Sequence, residues 1–315
     1  MEHVIDYEHG IFAVDSGYAR AQLNAVHVMV ERGRVAIIDT AHNAALPRVI
    51  QALAAKGLKP EAVDWVLLTH VHLDHAGAAG AMMAQFPNAT LAVHPRGARH
   101  IIDPTRLMEG TVAVYGEAAA RRLYGDVLPV TKDRVREMAH EAAISLAGRE
   151  LRFLHTPGHA RHHLSIVDAQ SRHIFAGDTF GLSYREFDAG ARQFVFPTSS
   201  PVQFDPAELH RSIDLLTQLA PPAIYVTHFG QVRDIPRLAS DLHRLIDALA
   251  AIALRFCDAG SERNALIRDA VEALALEEAR LQDWPVERAR VLEVLGADIA
   301  LNASGLECWL DARAN

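Results

Sequence analysis

The segment Thr69-His70-Val71-His72-Leu73-Asp74-His75 sets three imidazoles and one carboxylate between His70 and His75. It follows the apolar run Trp65-Val66-Leu67-Leu68, which reads as a short buried strand. It precedes Ala76 to Phe86, a run rich in Ala and Met that reads as a helix. The ligand-type residues therefore occupy a strand-to-helix turn, where side chains can converge. Neutral imidazole and carboxylate are ligands for zinc, iron or manganese. On an extended segment His70 and His72 point to the same side, so one metal can take both. Asp74 and His75 follow the bend and can face a second metal. A His-rich surface loop is the bland alternative. The chain has 18 His, so isolated ones carry little weight, whereas four ligand-type residues in one turn behind an apolar strand carry more.

Three further stretches follow apolar, strand-like runs: Thr156-Pro157-Gly158-His159, Gly177-Asp178-Thr179 and Thr227-His228. Upstream stands Ile37-Ile38-Asp39-Thr40. In this order the motifs resemble the metallo-β-lactamase superfamily of metal-dependent hydrolases, over roughly residues 10 to 232, and its glyoxalase II-like and lactonase-like branch in flavour. One departure is Ala41, where the family often has Gly.

The resemblance implies an α/β fold, a four-layer αββα sandwich. It implies His70, His72 and His159 on one metal, Asp74, His75 and His228 on the other, and Asp178 bridging them. The cofactors would be two divalent ions, zinc first, with iron or manganese as alternatives. A metal-bridging hydroxide would attack an ester, thioester or lactone carbonyl, and Asp74 would pass a proton to the leaving group. Asp39 would orient the metal loop, against the plainer reading of a turn Asp. His163 would be structural or would support the ligands; His42 could reach the site, but reads first as a solvated loop residue. Tyr184 and Arg185 stand where related lactonases and thioesterases contact substrate. Tyr184 could hydrogen-bond a carbonyl oxygen and Arg185 could hold a carboxylate. Both could equally be packing and solvent residues.

Other chemistries stay open at this stage. One iron on His70, His159 and Asp178 would resemble a persulfide dioxygenase and would leave the remaining ligands idle. A metal-dependent ribonuclease is disfavoured by a formal net charge of -8 and the lack of a basic arm. A binding module without activity need not retain every ligand.

The expected organisation is a catalytic domain over residues 1–234 and a helical extension over 235–315. Residues 95–149 form an inserted segment that reads as a lid or pocket wall, or as mere packing. His173 reads as a surface strand residue. In the extension, Leu238, Leu242, Leu245, Ile246 and Leu249 recur at helical spacing, and further helical patterns cover 265–276 and 286–295. Such stripes need a partner surface, so a docked tail and a homodimer are expected. Two Cys, the absence of a signal-peptide pattern and the absence of a membrane-length apolar run lead to the expectation of a cytoplasmic enzyme. Its partner would be a small-molecule substrate, with neither nucleic acid nor membrane.

Overall fold

The computed structural model describes residues 3–199 and 201–314 of the chain. Contacts group these residues into two compact units, which interleave along the sequence. The first runs through His155 and adds His162–Gly177 and Ala223–Gln231. Its larger sheet takes its strands in chain order: β1 (Val4–Asp6), β2 (Ile11–Asp15), β3 (Ala25–Glu31), β4 (Arg34–Ile38), β5 (Val63–Leu67), β6 (Thr90–Val93) and β7 (Val135–Glu137). The strands from β1 to β4 pair antiparallel, and those from β4 to β7 pair parallel. Interspersed with them are α1 (Leu46–Ala55), α2 (Leu73–Ala76), α3 (Ala79–Gln85), α4 (Pro95–Ile102), α5 (Thr105–Tyr115) and α6 (Glu117–Tyr124).

The second sheet is ordered β8 (Ala143–Leu146), β9 (Arg149–His155), β10 (Leu164–Asp168), β11 (Ile174–Gly177), β12 (Ile224–Val226) and β13 (Gly230–Val232). The β11–β12 pair is parallel. The chain leaves these two strands as Asp178 and as Thr227-His228, and it leaves β5 as the His-rich turn. The candidate ligand residues thus follow carboxyl ends of parallel strands, the usual place for ligands in α/β sheets.

The strand period of two divides β4 between two cores. Ala36 and Ile38 face the second sheet and pack with Leu67, Leu151, Phe153, Ile166 and Phe175. Val35 and Ile37 face the opposite way, toward Val49, Leu53, Met82 and Phe86 from the helical layer. Each of these Val, Leu, Ile, Met and Phe side chains contributes about 1.5–3 kcal/mol by leaving water. In the segment 95–149, α4 buries Ala98 and Ile101 in this core and β7 extends the sheet, so part of the insertion is framework. Helix α5 buries none of its residues. His173 corrects an expectation. It is buried beside the interior strand β11, with Nδ1 3.1 Å from the Tyr225 hydroxyl.

The second unit comprises Thr156–Arg161, Asp178–Pro222 and the chain from Val232. It carries α7 (Pro206–Gln218), α8 (Ile235–Arg255), α9 (Arg263–Leu281) and α10 (Arg288–Ala314). Asp205 caps α7 by accepting the Glu208 amide at 3.0 Å, and Pro206 takes the first helical position, where no amide proton is needed. The α8 stripe expected from Leu238 to Leu249 is fully buried. Helix α10 runs far beyond the pattern at 286–295; Arg263 braces it to α9 through Glu307 at 3.1 Å and Asp311 at 2.8 Å. The irregular segment after Asp178 is held by this same region: Phe187 stacks at 4.3 Å on Trp284, in the connection between α9 and α10, and Ser199 donates to the Asn302 carbonyl groups on α10. Among the described residues no helix is long and apolar enough to cross a membrane.

Candidate metal centre

The order of events at the end of β5 explains why the ligand turn is rigid. Asp39 ends β4, and its amide donates to the Leu67 carbonyl at 2.8 Å, extending the ladder by one bond. Its buried carboxylate then accepts the Thr69 amide at 2.8 Å and the Thr69 hydroxyl at 2.9 Å. The Thr227 hydroxyl donates to it at 2.9 Å, and Nδ1 of His75 lies 2.9 Å from it. One carboxylate thereby ties β4, the His-rich turn and the end of β12 together. Thr40 adds its hydroxyl to the His75 carbonyl at 2.9 Å.

Within this unit Asp74, His75 and His228 offer three ligand atoms that all lie within 4.8 Å of one another. Asp74 Oδ2 is 3.5 Å from His75 Nε2 and 3.3 Å from His228 Nε2. These separations exceed the 2.7–2.9 Å or so of a charge-assisted hydrogen bond. They match two ligands of one tetrahedral ion, which at about 2.1 Å from the metal sit roughly 3.4 Å apart. The far nitrogens are occupied: His75 Nδ1 by Asp39 and His228 Nδ1 by the Leu23 carbonyl at 3.0 Å. That leaves Nε2 facing forward in both rings, the arrangement of metal-binding imidazoles. His70 Nε2 and His72 Nδ1 face each other at 2.9 Å, and the Thr69 hydroxyl lies 3.2 Å from His70 Nδ1.

In the second unit His159 and Asp178 repeat the pattern. His159 Nε2 lies 3.4 Å from Asp178 Oδ2, and its Nδ1 lies 2.9 Å from the Thr198 hydroxyl. Gly158, with φ of +128°, lets the turn before His159 press on α7, where an added Cβ would meet the Leu209 backbone at 2.4 Å. The donor set, the spacings and the anchored far nitrogens fit divalent metal ions.

His163 is buried and stacks on His70 with ring centroids 5.0 Å apart. Gly177 makes room for it: an added Cβ would stand 2.7 Å from both His163 Nε2 and Thr69 Oγ1. Tyr184 is 1% exposed, and its hydroxyl donates to both oxygens of Asp298 at 3.2 Å. Arg185 pairs with Asp188 at 3.2 Å and donates to the Ser183 carbonyl at 2.6 Å. Burial pushes the Asp188 carboxyl up to about 6, with Arg185 opposing.

Sequence reasoning left several supports unnamed. Thr69 and Thr227 each precede a ligand-type His, and that repeated Thr-His pair was the available signal. His42 departs from the expected solvated loop residue: it is 8% exposed. Burial and nearby Arg48 lower its pKa, with Asp74 opposing. Its ring meets Tyr18 edge-on at 5.3 Å, and the Tyr18 and Tyr124 hydroxyls are 2.6 Å apart. The position of Tyr124, on α6 of the inserted segment, could not be read from local pattern.

The Metallo-beta-lactamase superfamily family model matches residues 22–228. The chain is 26% identical over 206 residues to the uncharacterized protein YobT of Bacillus subtilis, covering 64% of this chain and 81% of that one. It is 28% identical over 174 residues to the metallo-beta-lactamase fold-containing protein ST1585 of Sulfurisphaera tokodaii, covering 54% and 62%. The crystal structure of ST1585 superposes with a TM-score of 0.65 at 21% identity, over 95% of this chain and 98% of that one, so the two share a fold. The hydroxyacylglutathione hydrolase of Stenotrophomonas maltophilia is 29% identical over 156 residues, which is 50% of this chain and 46% of that enzyme. The chain thus matches less than half the length of that hydrolase.

Proposed function

The chain belongs to the metallo-beta-lactamase superfamily of metal-dependent hydrolases, and from that membership we propose that it cleaves an ester, thioester or lactone with two divalent metal ions, zinc first among them. The observation that carries the reading is the orientation of His75 and His228. Each ring is fixed through Nδ1, and each offers Nε2 beside the Asp74 carboxylate. In the family's pattern His70, His72 and His159 would hold one ion, Asp74, His75 and His228 the other, and Asp178 both. Bound there, the ions would supply a hydroxide-like nucleophile at neutral pH, by lowering the pKa of water from near 15.7 to about 7, and would polarise the carbonyl.

The chain's own residues set the rest. Asp39 and Thr227 keep the His75 ring from turning, so its orientation costs nothing at the moment of reaction. Asp74 is about a quarter exposed on its side chain, so solvent and a leaving group can reach it. A carboxylate in that place can take up a proton and return it to the departing oxygen or sulfur. His42, held toward its neutral form by burial, adds no positive charge beside Asp74. Sequence identity to hydroxyacylglutathione hydrolases supports the thioester branch first.

The test is a panel of esters, lactones and acyl-glutathione thioesters with purified protein, before and after chelation. Turnover of one class, lost on chelation and regained with metal, is expected. Oxygen consumption on a persulfide, with no turnover anywhere in the panel, would replace hydrolysis by a dioxygenase reaction.

A further inference from the structure

We propose that His210 and His243, which belong to none of the motifs above, form an additional binding site for a divalent cation of borderline softness, such as zinc, nickel or copper(II). Helix α7 contributes His210 and Asp214, and α8 contributes His243 and Asp247. Residues four apart share a helix face, so each helix presents one imidazole and one carboxylate together. The pairs cross between the helices. His210 Nε2 lies 3.1 Å from Asp247 Oδ1, and His243 Nε2 lies 3.1 Å from Asp214 Oδ1. The ring planes are 13° apart with centroids 4.9 Å apart, and the two Nδ1 atoms meet edge to edge at 2.6 Å.

The hydrogen-bonding capacities then leave one question. An ionised carboxylate only accepts, so each Nε2 must carry a proton and donate. With Nε2 protonated, the Nδ1 of a neutral ring is a lone pair. Two lone pairs at 2.6 Å repel each other unless an electrophile stands between them, either a shared proton or a metal ion. An imidazole whose far nitrogen donates to a carboxylate is the arrangement that orients histidine for a metal. Charge points the same way. A shared proton leaves the cluster of two carboxylates at net -1, whereas a divalent ion between neutral rings brings it to zero. Among the described residues no Lys or Arg pairs with Asp214 or Asp247 to compete; the neighbouring Arg211 and Arg244 are engaged by Glu208 and by Asp241 and Glu278.

Space is available. Two nitrogens each about 2.1 Å from a tetrahedral ion lie roughly 3.4 Å apart, so the Nδ1 atoms need to separate by well under 1 Å. The His side chains are 26% and 30% exposed, so they can make that movement, and water can fill the remaining positions. His243 also lines a cavity of about 600 Å³ with Thr217, Ser240 and Pro221.

The experiment is calorimetric titration of Zn²⁺ into protein whose tightly held metal is already in place and whose excess has been dialysed away. One further equivalent is expected. Its entry displaces the shared proton to solvent, so repeating the titration in buffers of different ionisation enthalpy should show about one proton released per ion. His243→Gln should remove the additional equivalent while the tightly held metal stays the same. Asp247→Asn, which keeps both rings, should weaken it about 10–100-fold. No further binding by the wild type would mean a shared proton only and would overturn the proposal. Unchanged binding by both variants would overturn it equally.

Discussion

His75 turns Nδ1 to the Asp39 carboxylate at 2.9 Å, and both side chains are closed to solvent. Because Thr69 and Thr227 donate to the same carboxylate, Asp39 is where three strand ends are held in register. Asp39→Asn keeps the shape but replaces an acceptor oxygen by a donor, which faces donors already in place. Metal affinity or turnover should fall about 10–100-fold. Metal content and kcat of the variant are the check, and wild-type values for both would remove Asp39 from the site.

Gly177→Ala tests the packing beneath His70. Gly177 has a φ of +49°, and its added Cβ would press on His163 and Thr69. Both neighbours are buried, so neither can swing away cheaply. A loss of about 1–3 kcal/mol is expected from the backbone conformation alone, read by denaturant titration, with weaker metal retention.

Tyr184→Phe separates two readings of that residue. The structure gives its hydroxyl to Asp298 on α10. Removing it should cost about 1 kcal/mol of stability by taking a donor from a half-buried carboxylate, with kcat close to wild type. A tenfold fall in kcat at unchanged stability would return Tyr184 to the substrate.

His27 sets an acid limit. It is buried between the sheets beside Phe175 and Tyr225, and burial lowers its pKa from 6.5 to about 4, with Asp39 opposing. Between those values the unfolded chain binds more protons than the folded one. Stability therefore falls as pH drops from 6.5 toward 4, by about 3 kcal/mol from this group. His94, lowered to about 4 chiefly by burial, adds to the same slope. Denaturation midpoints across that window should show it, and His27→Phe should flatten it in part. An unchanged slope would assign the acid sensitivity elsewhere.

The fold and metal turn were legible because their signals are local. Apolar strands end in His-x-His-x-Asp-His, Asp-Thr and Thr-His, and each motif stands directly behind the strand that announces it. The α8 stripe was legible for the same reason. What escaped were relationships across long separations. Tyr184 finds Asp298 from 114 residues away, and no local pattern announces that. The length of α10 was hidden because Gly296, Asn302 and Ser304 interrupt its apolar spacing, while its support comes from Arg263 and from the segment after Asp178. His42 stands in an extended loop residue's place, where sequence alone points to solvent, and Tyr18 covers it.

The central claim is hydrolysis that depends on metal held by the His and Asp motifs. The most direct test returns Zn²⁺ stepwise to fully chelated protein, while hydrolysis of the best ester, lactone or thioester substrate is followed. The chelated chain should be inactive, and the rate should climb to saturation at close to two equivalents, with Asp178→Ala unable to recover. Full hydrolysis by the chelated chain, or full recovery by Asp178→Ala, would contradict the account.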